Sequence, residues 1–143
     1  MQSDYLSRHP HDGGVWIGSL AALDRLPDVI DAVVSLCRVG TEQVPAHCES
    51  VQVWLIDREG RNPNLEFVLA EAADVIARLR AEGRTVFLHC AEGRSRTAAV
   101  AALYGAQHRG VELETAWRDV RGALPRFAPQ AFLREAVERL VGS

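Results

Sequence analysis

The apolar positions of the chain change their period several times between residues 14 and 141. "GVWIG" (14–18) reads as a strand, and "SLAALDRL" (19–26) as a short helix with Ser19 at its N-cap and Pro27 just past its end. "DAVVSLC" (31–37) and "SVQVWLI" (50–56) are rich in Val and Ile and predict two further strands. The period then lengthens. Leu65, Val68, Leu69, Ala72, Val75, Ile76 and Leu79 form one helical stripe, bounded by Asn64 as N-cap and Gly83 as C′ residue. "TVFLH" (85–89) is continuously apolar, as a central strand covered on both faces must be. A helix follows from Ser95 to His108, ended by Gly110. Two amphipathic segments, 112–122 and 129–141, close the chain, with Pro125 and Pro129 breaking between them. Strands alternating with helices predict an α/β fold: a mainly parallel central sheet of about four to five strands, flanked by helices on both faces. The 143 residues suit a single domain spanning 1–143.

Composition narrows the function classes more than the fold. Hydrophobic residues make up 48% and charged residues 24%, the balance of a globular protein, and no apolar run approaches a membrane span. The first residues, "MQSDYLSRHPHDGG", lack the basic and apolar regions of a secretory signal, so a cytoplasmic location is expected. A net charge of −3 supplies no basic field, and no nucleic-acid partner is expected. All sixteen basic residues are arginine, which reads as coding bias. Cys37, Cys48 and Cys90 are odd in number and widely spaced, which fits neither a disulfide framework nor a zinc cluster.

The chemistry concentrates in "RTVFLHCAEGRSRT" (84–97). Cys90 falls at the carboxyl end of the most buried-looking strand, where ligands sit on parallel sheets. The small Ala91 and flexible Gly93 allow the turn to curl. A curled turn at a helix start aims successive N–H groups at one spot, and the helix dipole adds positive potential there. Arg96 reaches back with a planar fork matched to a tetrahedral anion. Thiolates are favoured beside helix N-termini and cations, so a loop that holds a phosphoryl group also favours a charged nucleophile at its base. Attack by sulfur on phosphorus, expulsion of the alcohol or phenol, and hydrolysis of the phosphocysteine by water make a two-step covalent mechanism.

"HCAEGRSRT" matches His-Cys-x5-Arg-[Ser/Thr], and the chain resembles the cysteine-dependent protein-tyrosine phosphatases. The chain lacks the tyrosine-bearing recognition loop and the glutamine-rich loop of the long tyrosine-specific domains. With "GVWIGSLAAL" and "PQAFLREAV" resembling opening and closing segments, it looks like the compact dual-specificity, atypical branch. The resemblance implies Cys90 as nucleophile, Arg96 with the amides of Ala91, Glu92, Gly93, Arg94 and Ser95 as phosphate binder, and His89 as an organiser of the loop. It implies Thr97 as the hydroxyl that assists thiolate departure. It also implies an aspartate on an earlier strand-end loop as proton donor. Asp57 in "VWLIDREGRNPN", 33 residues ahead of Cys90, fits, with Glu59 second. Some members carry a second cysteine that forms a reversible disulfide with the nucleophile; Cys37 occupies that place, although a buried core cysteine is the simpler reading.

No cofactor and no metal are expected. "HPHD" (9–12) is set aside as a terminal stretch, and Cys48 beside His47 has no derivable role. Arg38, Arg58 and Arg61 stand on strand-end loops facing the same mouth or solvent. The implied substrate is a phosphorylated protein or another phosphomonoester, because the same scaffold serves phosphoinositides and RNA 5′-phosphates. The basic Arg94 hints at lipid. Two other readings use the same residues: a rhodanese-like sulfurtransferase, whose single-domain forms usually have four residues between Cys and Arg rather than five, and a phosphate-reading module without turnover. Oligomeric state is not legible.

Overall fold

The computed structural model describes residues 5–142; Met1–Asp4 and Ser143, which the single-domain expectation included, lie outside the described residues. Five strands, β1 (Leu6–His9), β2 (Asp12–Ser19), β3 (Ala32–Ser35), β4 (Glu49–Gln52) and β5 (Val86–Cys90), form one sheet in the order β1-β2-β5-β3-β4. Four helices follow the expected periodicities: α1 (Leu65–Ala81), α2 (Arg96–His108), α3 (Leu113–Ala123) and α4 (Ala131–Gly142). Gly83 and Gly110 take positive φ just past α1 and α2. Neither Ser19 nor Asn64 makes the expected side-chain cap bond, although both occupy the cap positions.

The α/β class and the mainly parallel sheet are found. β2, β5, β3 and β4 run parallel, and only β1 is antiparallel, to β2. β5 is central and buried at every residue, which is why its sequence is an unbroken apolar run. β1 had no counterpart among the expected strands. "LSRH" lacks the Val and Ile of the others, and its pairing is irregular at Arg8 and His9. Segment 31–37 pairs only over Ala32–Ser35, and segment 50–56 only through its first residues, in a strand that spans Glu49–Gln52; their remainders become loops.

Side-chain alternation divides the core in two. Val15, Ile17, Ala32, Val34, Val86 and Leu88 join the buried residues of all four α-helices in the larger cluster. Val33 and Phe87 point the other way and meet Ala22, Leu23, Ile30 and Val44. Both faces are therefore covered, but by different kinds of helix. Among the described residues, the second face carries only the short 3₁₀ helices Leu20–Arg25 and Thr41–Gln43 with their flanking loops. "SLAALDRL" is one of these; six residues ahead of a proline give too few turns for an α-helix.

α2 is the centre of the helical layer. Every residue from Thr97 to Gly105 is buried, and the run of alanines lets α1, α3 and α4 approach closely. At the amino end of β2, Asp12 locks this layer to the sheet. Its carboxylate accepts from Tyr104 of α2 (Oη to Oδ2, 2.6 Å) and from both Nε and Nη2 of Arg80 of α1 (3.1 Å each). Burial alone would raise the Asp12 carboxyl, but these bonds and one from the Gly14 amide outweigh it and hold its pKa below the ordinary value. His9 donates to the Ala101 carbonyl (2.9 Å), so His9 and Asp12 of "HPHD" are both engaged by protein groups.

Candidate active site

Three strands end together. Sheet register sets Ser19 beside Cys90 and Ser35 beside His89, so the loops after β2, β3 and β5 share one edge. Residues 91–95 form the turn between β5 and α2, and Arg96 opens the helix. Gly93 takes φ +67°, and a Cβ there would lie 2.8 Å from the Tyr5 hydroxyl and 2.9 Å from the Gly18 carbonyl oxygen. Neither the conformation nor the space admits another residue without displacement. The turn is stitched on its outer side as well. The Leu20 amide donates to the Ala91 carbonyl (3.1 Å), the Ala128 amide to the Arg94 carbonyl (2.8 Å), and the Tyr5 hydroxyl to the Glu92 carbonyl. Burial, and next the charge of Cys90, push the Tyr5 hydroxyl up to about 12, so it stays a donor.

Cys90 lies at the base of a pocket of about 290 Å³ lined by Asp57, Ala91, Glu92, Arg94, Ser95, Arg96, Ala128 and Gln130. Arg96 is anchored through one nitrogen. Nη1 donates to the Leu55 carbonyl (3.1 Å) and the Leu36 carbonyl (3.4 Å), tying α2 to the loops after β4 and β3. Its Nε is buried without a hydrogen-bond partner among the described residues, as is Thr97 Oγ1. A buried guanidinium donor demands an acceptor, and a tetrahedral anion seated in the loop would supply one. Arg94 and Glu92 are exposed at the rim, and Glu92 pairs with Arg126 (3.2 Å).

Asp57 is expected directly after a strand; β4 ends at Gln52, so Asp57 instead lies five residues beyond it, in the loop that follows, and lines the pocket with Cys90. Ser95 Oγ donates to Asp57 Oδ1 (2.7 Å) and accepts from the Gln130 amide (3.0 Å), while Gln130 Nε2 donates to the Asp57 carbonyl (2.6 Å). Ser95 thus joins the phosphate-loop turn, the acid loop and the start of α4. Asn62 closes the acid loop by bonding both the amide and the carbonyl of Ile56 (2.8 and 2.7 Å). Glu59 is exposed and lines neither this pocket nor its neighbour, so Asp57 is the acid of this loop that shares the pocket with Cys90.

His89 is buried and stacks on Phe87. Burial drives its pKa down to about 4, and the nearby Arg96 charge adds to this. It is therefore neutral near pH 7 and carries one proton. Its Nδ1 lies 3.2 Å from the Cys90 carbonyl, which can only accept, so Nδ1 is protonated. Nε2 then accepts from Ser35 Oγ at 2.7 Å. The side chain organises the loop backbone and has no proton to take from a substrate.

Cys37 follows Leu36, whose amide donates to the His89 carbonyl (2.9 Å), and so runs beside the Cys90 turn. Burial raises the Cys37 thiol above its ordinary value, and the Cys90 charge adds to that, against the lowering effect of Arg96. Arg38 and Arg58 line a neighbouring groove; Arg61 lines neither space. Ser35, Tyr5 and Gln130 were not singled out from sequence. A hydroxyl inside the apolar run "VVSL" was the one available signal for Ser35, whereas Tyr5 and Gln130 reach the loop through tertiary folding alone.

Residues 26–139 match the family described as "Dual specificity phosphatase, catalytic domain", and the chain belongs to that family. Among curated proteins it is 29% identical over 128 residues to Dual specificity protein phosphatase 1 of Arabidopsis thaliana, covering 85% of this chain and 63% of that protein. It is 33% identical over 75 residues to Phosphatidylglycerophosphate phosphatase PTPMT1 of the same species, covering 52% and 22%. The chain thus spans less than two thirds of the length of either relative. Among solved structures human DUSP28 superposes with a TM-score of 0.84 at 21% identity, over 99% of this chain and 95% of that one, which establishes the fold.

Two outcomes follow from the geometry. Gly93→Ala forces a side chain against Tyr5 and the Gly18 carbonyl; titration calorimetry with tungstate should show affinity falling at least about tenfold while the circular dichroism spectrum is kept. The depressed His89 binds its proton less readily when folded than when unfolded. Its contribution to stability is thus whole above about pH 6.5 and declines as pH falls through about 4. Urea unfolding between those limits should show that decline, and replacement of His89 by Gln should flatten it.

Proposed function

We propose that the chain is a metal-independent phosphomonoester hydrolase acting on phosphorylated protein through a phosphocysteine intermediate. The observation that carries this reading is the buried, unpartnered Nε of Arg96, in one pocket with Cys90, next to a turn whose conformation requires Gly93. The Cys90 sulfur attacks phosphorus in line with the ester oxygen; the S–P bond forms as the P–O bond breaks. Arg96 and the amides of the 91–96 turn hold the equatorial oxygens. Protonated Asp57, held by Ser95 at the pocket wall, gives its proton to the departing oxygen. Asp57, now ionised, takes a proton from water as that water attacks the phosphocysteine, and Thr97 Oγ1 donates to the sulfur as it leaves. No step needs a metal ion.

Membership of the family supports the hydrolase over the sulfurtransferase, and a complete Cys90, Arg96 and Asp57 set supports turnover over binding alone. A second substrate reading, a phospholipid headgroup, is favoured by the likeness to a phosphatidylglycerophosphate phosphatase and by the exposed Arg94. A rate comparison across phosphotyrosine and phosphoserine peptides, phosphoinositides and 5′-phosphorylated RNA separates these substrates.

In p-nitrophenyl phosphate hydrolysis, Cys90→Ser should fall to the uncatalysed background. Asp57→Asn should lose about 10²–10⁴-fold in kcat toward poor leaving groups and lose the alkaline limb of a bell-shaped profile. Phosphate release that survives Cys90→Ser would sink the mechanism. We also propose that Cys37 protects the nucleophile: peroxide oxidises the Cys90 thiolate to a sulfenic acid, and the Cys37 thiol displaces water to give a disulfide. Thiol reductant should then restore activity to the parent chain after peroxide, and Cys37→Ser should recover several-fold less. Equal recovery would remove Cys37 from the chemistry.

A further inference from the structure

Beside the phosphate pocket, and sharing Asp57 and Arg96 with it, lies a larger groove of about 440 Å³. Leu36, Leu55, Ile56 and Trp54 give it mainly apolar walls, and Arg38 and Arg58 stand in its lining. Trp54 and Ile56 are 54% and 44% exposed, two of only four large apolar side chains left so open among the described residues. The Arg38 guanidinium lies 4.1 Å over the Trp54 ring, making one flat plate, apolar on its body and cationic at its face. Leu36 and Leu55 serve Arg96 only through their backbone carbonyls, so none of these wall side chains, nor Arg38 or Arg58, is needed to hold the phosphoryl group.

Position decides what such a groove receives. The two spaces meet at Asp57 and Arg96, so whatever is esterified to a phosphoryl group on Cys90 leaves over Asp57 into the groove. We propose that this groove is a leaving-group subsite for phosphopeptides, taking a large apolar side chain next to the phosphorylated residue and an acidic residue just beyond it. The assignment rests on the hydrolase reading of the phosphate pocket. The apolar walls match the first requirement. Arg38 and Arg58, against Asp57 as the lone acid in the lining, match the second by charge. A guanidinium spread across the Trp54 face favours this occupant over an acyl chain, which would meet a cation where it needs bare hydrocarbon.

The experiment compares kcat/KM for two phosphotyrosine peptides, one with Leu-Glu after the phosphorylated residue and one with Ala-Lys, alongside p-nitrophenyl phosphate and a dispersed short-chain phosphatidylinositol phosphate. The Leu-Glu peptide should be favoured about tenfold or more. Trp54→Ala should collapse that ratio toward one, Trp54→Phe should keep most of it, and Arg38→Ala should reduce the part due to Glu. A fluorescein-labelled Leu-Glu phosphopeptide binding to Cys90→Ser, followed by anisotropy, reports the subsite without turnover. Trp54-dependent binding with no hydrolysis of any substrate would uphold the subsite and overturn the hydrolase. Equal rates for the two peptides, or a preference that survives Trp54→Ala, would overturn the subsite and leave the hydrolase standing. A Trp54-dependent preference for the lipid over both peptides would overturn the peptide assignment.

Discussion

The curled turn between β5 and α2 is the constraint on which the rest depends. It works only if a glycine occupies the left-handed conformation at residue 93, if Tyr5 and the Gly18 backbone fill the space a side chain would take, and if α2 begins at Arg96. Each condition is met by an element that also serves the core. β5 is central, α2 is buried almost throughout, and β1 pairs at the edge through β2, bringing Tyr5 across to the loop. Packing at Gly93 and the bonds from Leu20, Ala128 and Tyr5 to its carbonyls fix the turn in advance, which leaves little reorganisation for ligand binding.

Burying polar groups around that turn is expensive unless they are paired. His89 is neutral, and its two nitrogens are spent on the Cys90 carbonyl and Ser35. Arg96 divides its donors, with Nη1 fixed on the Leu36 and Leu55 carbonyls and Nε left over. The division has a mechanical meaning. The guanidinium is oriented before a ligand binds, which lowers the entropy lost on binding a tetrahedral anion. Ser95 does the same for Asp57, coupling the acid loop to the turn through a single hydroxyl.

Local pattern made much of this legible. The α1 stripe from Leu65 to Leu79, the apolar β5 and the spacing of Cys90 to Arg96 are short-range signals, and each reappears within a residue or two of its expected bounds. What escaped depends on tertiary contact. β1 has too few β-branched residues to announce itself and exists because β2 offers an edge. Gln130 and Tyr5 are far from the turn in sequence, and no period links them to it. "SLAALDRL" was readable as helical but not as 3₁₀, because the helix type there is set by the proline and the short span to β3.

The polar cluster at the other end of the sheet explains why specificity can vary at the mouth without loosening the centre. Asp12 joins β2, α1 and α2 through Arg80 and Tyr104, and Arg80 Nη1 also caps the Arg84 carbonyl (2.8 Å) just ahead of β5. The amino ends of β2 and β5 are thus fixed to the helical layer independently of the turn. At the carboxyl ends, by contrast, the loops after β3 and β4 are held to the site mainly by backbone carbonyls, those of Leu36, Leu55 and Asp57. Carbonyls are the same whatever side chain they precede. Arg38, Trp54, Ile56 and Arg58 are therefore free of any duty in positioning the phosphate loop, and the apolar and cationic character they share at the groove is open to selection by the substrate alone.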